Sequence, residues 1–221
     1  MKKILYSAIA AAAVLAGVVS YAQAANVKVS ANLDKPYVLA GEDETVVLKV
    51  GLSAEPGVEK TKRPPINIAV VIDKSGSMSS DGKIEKAKEG VYRVIEQLNE
   101  GDVISIIVYD TYPSVLVYAQ PVRGKSALIN MVSQIYPSGS TALYGGIELG
   151  AQELRKYASD YSLNKIVLLS DGLANVGLQS TEDLANLGRA LGDEGFIVST
   201  VGVGLDYNED LMTSLARESG G

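Results

Sequence analysis

The sequence predicts an α/β fold in which a doubly wound, mostly parallel sheet is flanked by helices. Two patterns after residue 65 support this prediction. Continuous apolar runs, which are typical of strands buried on both faces, alternate with stretches whose apolar residues recur at helical spacing. The runs are Ile66–Ile72, Val103–Tyr109, the shorter Val115–Ala119, Lys165–Leu169 and Phe196–Val203. Such alternation predicts a layered domain with helices on both faces of the sheet.

Apolar residues at helical spacing predict the helices between these strands. They recur over residues 84–98, 128–135 and 147–154, at intervals that place them on one helix face. A further helix is predicted after Ser180, because Ser180 and Asp183 resemble a capping box in front of an apolar face. The order of strands and helices is therefore that of an open α/β sheet.

The first 65 residues are predicted to lie outside this sheet. Residues 1–24 resemble a signal peptide, because a basic start and an Ala-rich apolar run end in Ala22-Gln23-Ala24, the pattern of a signal-peptidase site. Cleavage would place the protein in the periplasm or outside the cell. The alternative is an uncleaved anchor that contacts the membrane, although the run is short for a span of about 20 residues. Residues 25–65 are predicted to form a small β segment and a linker.

The composition excludes several classes of site. The chain of 221 residues has neither histidine nor cysteine. It therefore has no Ser-His or Cys-His catalytic pair, no disulfide and no metal bound by His or Cys. Acid chemistry is left to Asp and Glu, and metal ligands to oxygen atoms. The net charge is −6, which disfavours nucleic acid as a partner.

Acidic residues follow several of the predicted strands. Asp73, Asp110 and Asp171 stand at or next to the ends of apolar runs, and Asp206 follows another run. In open α/β sheets, ligands bind beyond the carboxyl ends of the strands. A single Asp at such a position is usually a turn cap. Several carboxylates on one rim repel each other unless a cation or a basic group lies between them.

The segment Asp73-Lys74-Ser75-Gly76-Ser77-Met78 follows a predicted buried strand. It carries oxygen-bearing side chains at alternate positions, and its glycine permits a tight loop. This arrangement suits a hard divalent cation, which prefers oxygen ligands. A plain loop whose serines cap the next helix is the alternative. The pattern of these six residues leaves both interpretations open.

Three separated motifs resemble the von Willebrand factor type A domain, the fold shared with integrin I domains. The Asp-x-Ser-x-Ser segment is similar to the first element of that family's metal-ion-dependent adhesion site. The segment Ser138–Leu143 is similar to the second loop of the site, and Leu168–Gly172 is similar to the third. The resemblance covers residues 66–219 and implies a domain of this type over residues 66–221.

The resemblance implies a metal centre built from Asp73, Ser75, Ser77, Thr141 and Asp171. The two serines would coordinate directly, the threonine and the second aspartate directly or through water, and the first aspartate through water. The cation would be Mg²⁺, or Ca²⁺ or Mn²⁺. A Glu or Asp of a protein partner would take the remaining position. The expected function is cation-dependent protein binding or adhesion by an exported bacterial protein, without enzymatic activity.

The end of the sequence departs from the family pattern. The family's domain normally continues after its last helix with another strand. Here residues 208–219 are predicted to form that helix, and Gly220 to end it in the left-handed conformation. We therefore expect either a sheet that lacks its last edge strand or a fragment of a longer protein. In both cases Phe196–Val203 would form an apolar edge.

Other functions remain as alternatives. A metal-dependent phosphotransferase or hydrolase would use Asp73 as its nucleophile, but Ser75 stands where such an enzyme needs a second acid. A purely structural module would bind a metal only to tether its loops. A phosphate-binding loop over residues 119–126 is disfavoured, because Ala119 replaces the first glycine and Pro121 lacks the N–H that a phosphate cradle needs.

Overall fold

The computed structural model describes residues 27–34, 45–54, 63–205 and 207–221. The chain divides into two compact units, Met1–Lys62 and Arg63–Gly221, and each is described by itself. The predicted signal peptide lies outside the described residues, as does most of the predicted linker. In the described ranges, no helix is long and apolar enough to cross a membrane.

The first unit contains a two-stranded antiparallel hairpin. Strand β1 spans Val27–Leu33 and strand β2 spans Leu48–Ala54. The pairing runs in unbroken register along both strands. Asp34 closes the described end of the ladder, because its carboxylate accepts the N–H of Val47 at 2.8 Å. The prediction of short strands before the main sheet is therefore confirmed.

The second unit contains a five-stranded sheet. Its strands are β3 (Ile66–Asp73), β4 (Val103–Tyr109), β5 (Pro113–Pro121), β6 (Leu163–Ser170) and β7 (Phe196–Gly202). The spatial order is β5-β4-β3-β6-β7. Strand β3 pairs in parallel with β4 and β6, and β6 pairs in parallel with β7. The predicted mostly parallel sheet is confirmed, and its carboxyl ends meet along one edge.

Five α-helices cover the sheet. They are α1 (Lys83–Gln97), α2 (Lys125–Ser133), α3 (Leu143–Arg155), α4 (Thr181–Asp193) and α5 (Glu209–Glu218). Alternate residues of the central strand β3 belong to two hydrophobic clusters, one shared with α1 and α2 and the other with the remaining three helices. The capping box predicted at Ser180 and Asp183 is present at the start of α4. The sheet is thus doubly wound, as predicted.

The antiparallel strand β5 forms one edge of the sheet. Only a short connection separates it from β4, so the chain must turn back as a hairpin, since a parallel crossover needs a dozen or more residues. The β4–β5 pairing shifts register on both sides of Ile106. Nearby, the N–H of Ala119 donates to the buried carboxylate of Glu153 at 2.9 Å. Helix α3 thereby supplies a hydrogen-bond acceptor to the irregular edge strand.

Strand β7 forms the other edge, as the sequence predicts. Its first residues are buried or half-buried, and its last two are exposed. Part of its backbone is covered by the segment after α5, because the N–H of Val198 donates to the Ser219 hydroxyl at 3.0 Å. Gly220 ends that helix with a φ of 79°, as predicted. The backbone of this edge strand is therefore covered more than the sequence alone predicted.

Asp102 links the amino-terminal ends of the central strands. Its buried carboxylate accepts hydrogen bonds from the Arg63 guanidinium and from the N–H groups of Ile66 and Asn99, at 2.9 and 2.6 Å. Burial alone would raise the pKa of Asp102, but the hydrogen bonds from Arg63 and the two amides outweigh it and hold the pKa below its ordinary value. This carboxylate lies at the end of the sheet opposite the predicted metal centre.

We expect Asp102→Asn to lower the free energy of unfolding by about 1–3 kcal/mol at neutral pH, because the Arg63 guanidinium and the two amide groups lose a buried, charged acceptor. The folded-state pKa lies below the unfolded-state value. The carboxylate's contribution is therefore fully present above the unfolded pKa of about 4 and is lost as the pH falls through the folded pKa. In urea unfolding, the gap between wild type and variant should shrink over that window. Equal stability at neutral pH, or the same loss in the exposed control Asp193→Asn, would contradict this.

Candidate metal centre

Asp73 ends the central strand β3, and its carboxylate is fully buried. One oxygen accepts the N–H of Ser75 at 2.8 Å. The other accepts the Ser170 hydroxyl at 2.6 Å and the Tyr109 hydroxyl at 3.1 Å. The donors come from the loop after β3 and from the ends of β6 and β4. Asp73 therefore connects the carboxyl ends of three adjacent strands.

Burial raises the pKa of the Asp73 carboxyl, and the hydrogen bonds from Ser170 and Ser75 offset this only in part. The charge of Asp171 acts in the same direction as burial. Burial also raises the pKa of Tyr109 well above its usual value, together with the charge of Asp73. The phenol therefore stays protonated and donates to the carboxylate.

The two serines of the first loop lie side by side. Ser75 Oγ and Ser77 Oγ are 3.1 Å apart. Ser75 is buried, and a short 3₁₀ turn begins at the next residue and continues to Ser79. Neither serine acts as the side-chain cap of that turn or of helix α1. The alternative in which these serines merely cap the following helix is therefore wrong.

The loop that carries Thr141 runs beside the first loop. The N–H of Gly76 donates to the carbonyl of Gly139 at 3.0 Å, and the N–H of Ser138 donates to the carbonyl of Lys74 at 2.7 Å. Thr141 is buried, and its N–H donates to Asn175 Oδ1 at 2.8 Å. Its side-chain hydroxyl forms no hydrogen bond within the part of the chain that the structure describes. The hydroxyl is thus left for another partner.

Asp171 follows strand β6 and is fully buried. Its Oδ2 accepts from the Lys83 ammonium at 3.2 Å, and this lysine is the first residue of helix α1. The carbonyl of Asp171 accepts the N–H of Asn208, which caps helix α5. The third loop is therefore tied to two helices, one on each face of the sheet.

The other acidic residues at this edge have different surroundings. Asp110 forms an ion pair with Lys74 and accepts the Ser138 hydroxyl at 3.0 Å. Burial raises the pKa of Asp110, but the hydrogen bond from Lys74 outweighs it and the pKa lies below its ordinary value. This carboxylate fastens the first loop to the second. Asp206 lies outside the described residues.

The donor set fits a hard divalent cation. The structure brings the loops of all five predicted ligand residues to one edge of the sheet. The side-chain atoms of these residues that could bind a metal are all oxygens, which magnesium and calcium prefer. The charge of Asp171 destabilises the charged form of Asp73, and a cation between them would relieve this repulsion. Over residues 27–34, 45–54, 63–205 and 207–221, no three acidic side chains lie close enough together to hold a metal ion by themselves. A cation here would therefore depend on the hydroxyl oxygens as well.

Four residues that shape this site are not among the predicted ligands. They are Tyr109, Ser170, Lys83 and Asn175. Ser170 stands in the third motif directly before Asp171, so its position was a signal. Lys83 precedes Ala87 and Val91 at helical spacing, on the face of α1 that is buried. Nothing local marks Asn175.

We expect Tyr109→Phe to lower the free energy of unfolding by about 1–3 kcal/mol, because Asp73 loses one of its buried donors while the ring remains in place. Gly146 of helix α3 leaves room for that ring, since a Cβ there would lie 2.5 Å from it. Urea unfolding in EDTA measures the loss. The matched control is Tyr118→Phe, at a residue that is 66% exposed. A loss no larger than that of the control would contradict a structural role for the phenol.

Sequence relatives cover most of this chain. The von Willebrand factor type A domain family matches residues 67–221. The uncharacterised protein sll0103 of Synechocystis sp. is 30% identical over 79% of this chain and 40% of its own length. Inter-alpha-trypsin inhibitor heavy chain H3 of Mus musculus is 30% identical over 71% of this chain and 18% of its own length. The chain thus spans less than half of either relative.

Solved structures share the fold. The von Willebrand factor type A protein from Catenulispora acidiphila matches with a TM-score of 0.61 at 20% identity, over 90% of this chain and 45% of that one. The conserved hypothetical protein BatB from Bacteroides thetaiotaomicron matches with a TM-score of 0.60 at 17% identity, over 71% and 87% of the two chains. At these identities the likeness concerns the fold alone. With the family match over most of its length, this chain belongs to the von Willebrand factor type A domain family.

Proposed function

We propose that this protein is a divalent-cation-dependent binding module that captures a carboxylate of a protein partner. Asp73, Ser75, Ser77, Thr141 and Asp171 would hold the cation, which is Mg²⁺, Ca²⁺ or Mn²⁺. The observation that carries the proposal is the convergence of two fully buried carboxylates with closely spaced hydroxyls at the carboxyl edge of the sheet. A cation held there would supply a coordination position for an incoming carboxylate oxygen.

The charge of the site supports capture of an acid. Two carboxylates only neutralise a divalent ion, so the loaded site does not repel a third carboxylate. Without the cation, an incoming Glu or Asp would face the negative charges of Asp73 and Asp171, which Lys83 compensates only in part. Partner binding should therefore require the metal. A site with so few charges should bind calcium with modest affinity, about 10⁻⁴–10⁻³ M, as extracellular modules do.

Exposed apolar side chains flank the site along the chain. Tyr112 is 78% exposed and follows Thr111, whose hydroxyl accepts the N–H of Ser140 at 3.0 Å. Leu173 is 42% exposed and follows the third loop, and Leu205 is 97% exposed after β7. Aromatic and apolar residues of this kind are common in protein interfaces. They favour a protein partner over a small acid.

We also propose that the protein is exported and has no enzymatic activity. The relatives include inter-alpha-trypsin inhibitor heavy chains, and the fold matches an aerotolerance-related membrane protein from Bacteroides fragilis at a TM-score of 0.60. The predicted signal peptide is consistent with export to the periplasm or the cell exterior. The phosphotransferase alternative is disfavoured because both oxygens of Asp73 already accept buried hydrogen bonds, which restrain a nucleophile. A structural role for the metal predicts cation binding without partner capture.

We expect calorimetric titration with Mg²⁺ to show one site in the wild-type protein and none in Asp73→Asn. Thr141→Ala should bind Mg²⁺ more weakly and keep its fold, because it loses one hydroxyl and no charge. The bound cation should stabilise the wild-type fold by about 1.4 kcal/mol at ten times the dissociation constant.

The matched control for this titration is Asp102→Asn, which removes an equally buried carboxylate at the opposite end of the sheet. It should bind Mg²⁺ as the wild type does. If Asp73→Asn binds Mg²⁺ like the wild type, the assignment of the site is wrong.

We expect peptides selected from a random library on the Mg²⁺-loaded protein to contain an essential Asp or Glu. Replacing that residue by Asn or Gln, adding EDTA, or introducing Asp73→Asn should each abolish binding in a fluorescence-polarisation assay. Peptides that bind equally well in EDTA would contradict metal-dependent capture. Mg²⁺ binding without any acidic peptide would favour the structural alternative.

A further inference from the structure

We propose that Lys83 is an internal counter-cation of the metal centre, which weakens the binding of divalent cations and adds positive charge toward the partner's carboxylate. This inference rests on the proposed function and assigns a specific role to a residue outside the predicted ligand set. The ammonium group lies 3.2 Å from Asp171 Oδ2, and the lysine side chain is 7% exposed. A buried cation is therefore already paired with one of the two carboxylates.

Contacts with neighbouring segments hold the Lys83 side chain in place. It begins helix α1, directly after the loop that carries Ser75 and Ser77, and it reaches across to the loop after β6. Gly204, after strand β7, lies against it with a φ of 95°. A Cβ at Gly204 would lie 2.6 Å from Lys83 Cε, so the absence of a side chain there leaves room for the lysine. Three segments of the chain thus enclose the ammonium.

The Lys83 ammonium changes the net charge that a divalent cation meets at the site. Asp73 and Asp171 carry two negative charges, and Lys83 compensates one of them. A divalent cation that joins the site meets a net charge of −1 instead of −2, and it must share Asp171 with the ammonium. Both effects weaken cation binding. The loaded site then carries a net positive charge, which attracts an incoming carboxylate.

Lys88 offers a comparison on the same helix. Its side chain is 5% exposed, and its ammonium pairs with Glu85, whose side chain is 66% exposed. It also donates to the carbonyl of Ser133 at 3.2 Å. Lys88 therefore matches Lys83 in burial and in having an acidic partner, but its partner is not a predicted metal ligand.

The test compares the wild-type protein with Lys83→Gln, Lys83→Met and the control Lys88→Met. Calorimetric titration with Mg²⁺ should give a dissociation constant about tenfold lower in both Lys83 variants, because a buried positive charge is removed beside the cation. The control should match the wild type. In EDTA, both Lys83 variants should melt at a lower temperature than the wild type, and saturating Mg²⁺ should raise their melting temperature by more.

Lys83→Gln and Lys83→Met test different parts of the role of Lys83. Lys83→Gln removes the charge but keeps a hydrogen-bond donor for Asp171, so it isolates the charge from the contact. If Lys83→Met folds only when Mg²⁺ is present, that dependence itself supports the role of Lys83. Unchanged or weaker Mg²⁺ binding in the Lys83 variants, with normal binding by the wild type, would overturn this role and leave the proposed function standing. Absence of Mg²⁺ binding in all four proteins would contradict the proposed function and this inference with it.

Discussion

The burial of the Asp73 carboxylate at the end of the central strand is the constraint on which the site depends. A buried carboxylate is costly unless its oxygens are satisfied. Here one oxygen is satisfied by its own loop, and the other by hydroxyl groups from the two neighbouring strands. The hydrogen bond from the Ser75 N–H also holds the first loop against Asp73, and Ser75 and Ser77 lie side by side in that loop.

A second buried carboxylate makes the constraint stronger. Asp171 raises the pKa of Asp73 further, so the edge of the sheet holds unfavourable charge that needs a positive partner. Lys83 supplies part of that compensation from helix α1. In the proposed function, a divalent cation would supply the remainder. Asp102, at the opposite end of the sheet, has Arg63 as its own compensating partner.

The sequence predicted the parts of this structure that depend on local patterns. Continuous apolar runs predicted the strands, because a strand buried on both faces has apolar side chains at successive positions. Apolar residues at helical spacing predicted the helices, because each helix buries one face. The loop motifs indicated the proposed ligand residues by resemblance. The contacts of Asp73 with Tyr109 and Ser170 could not be predicted from local pattern, because strand register alone brings these distant residues together. Likewise, only the completed fold shows that Lys83 pairs with Asp171 and not with solvent.

The proposed divalent-cation site at the carboxyl edge of the sheet is tested most directly by a crystal structure grown with Mn²⁺ and measured at the manganese absorption edge. We expect one strong anomalous peak beside the side-chain oxygens of Ser75, Ser77 and Thr141, with Asp73 and Asp171 directly or through water in its coordination sphere. A fully ordered edge without an anomalous peak, at saturating Mn²⁺, would contradict the proposed site, as would a peak confined to other acidic residues.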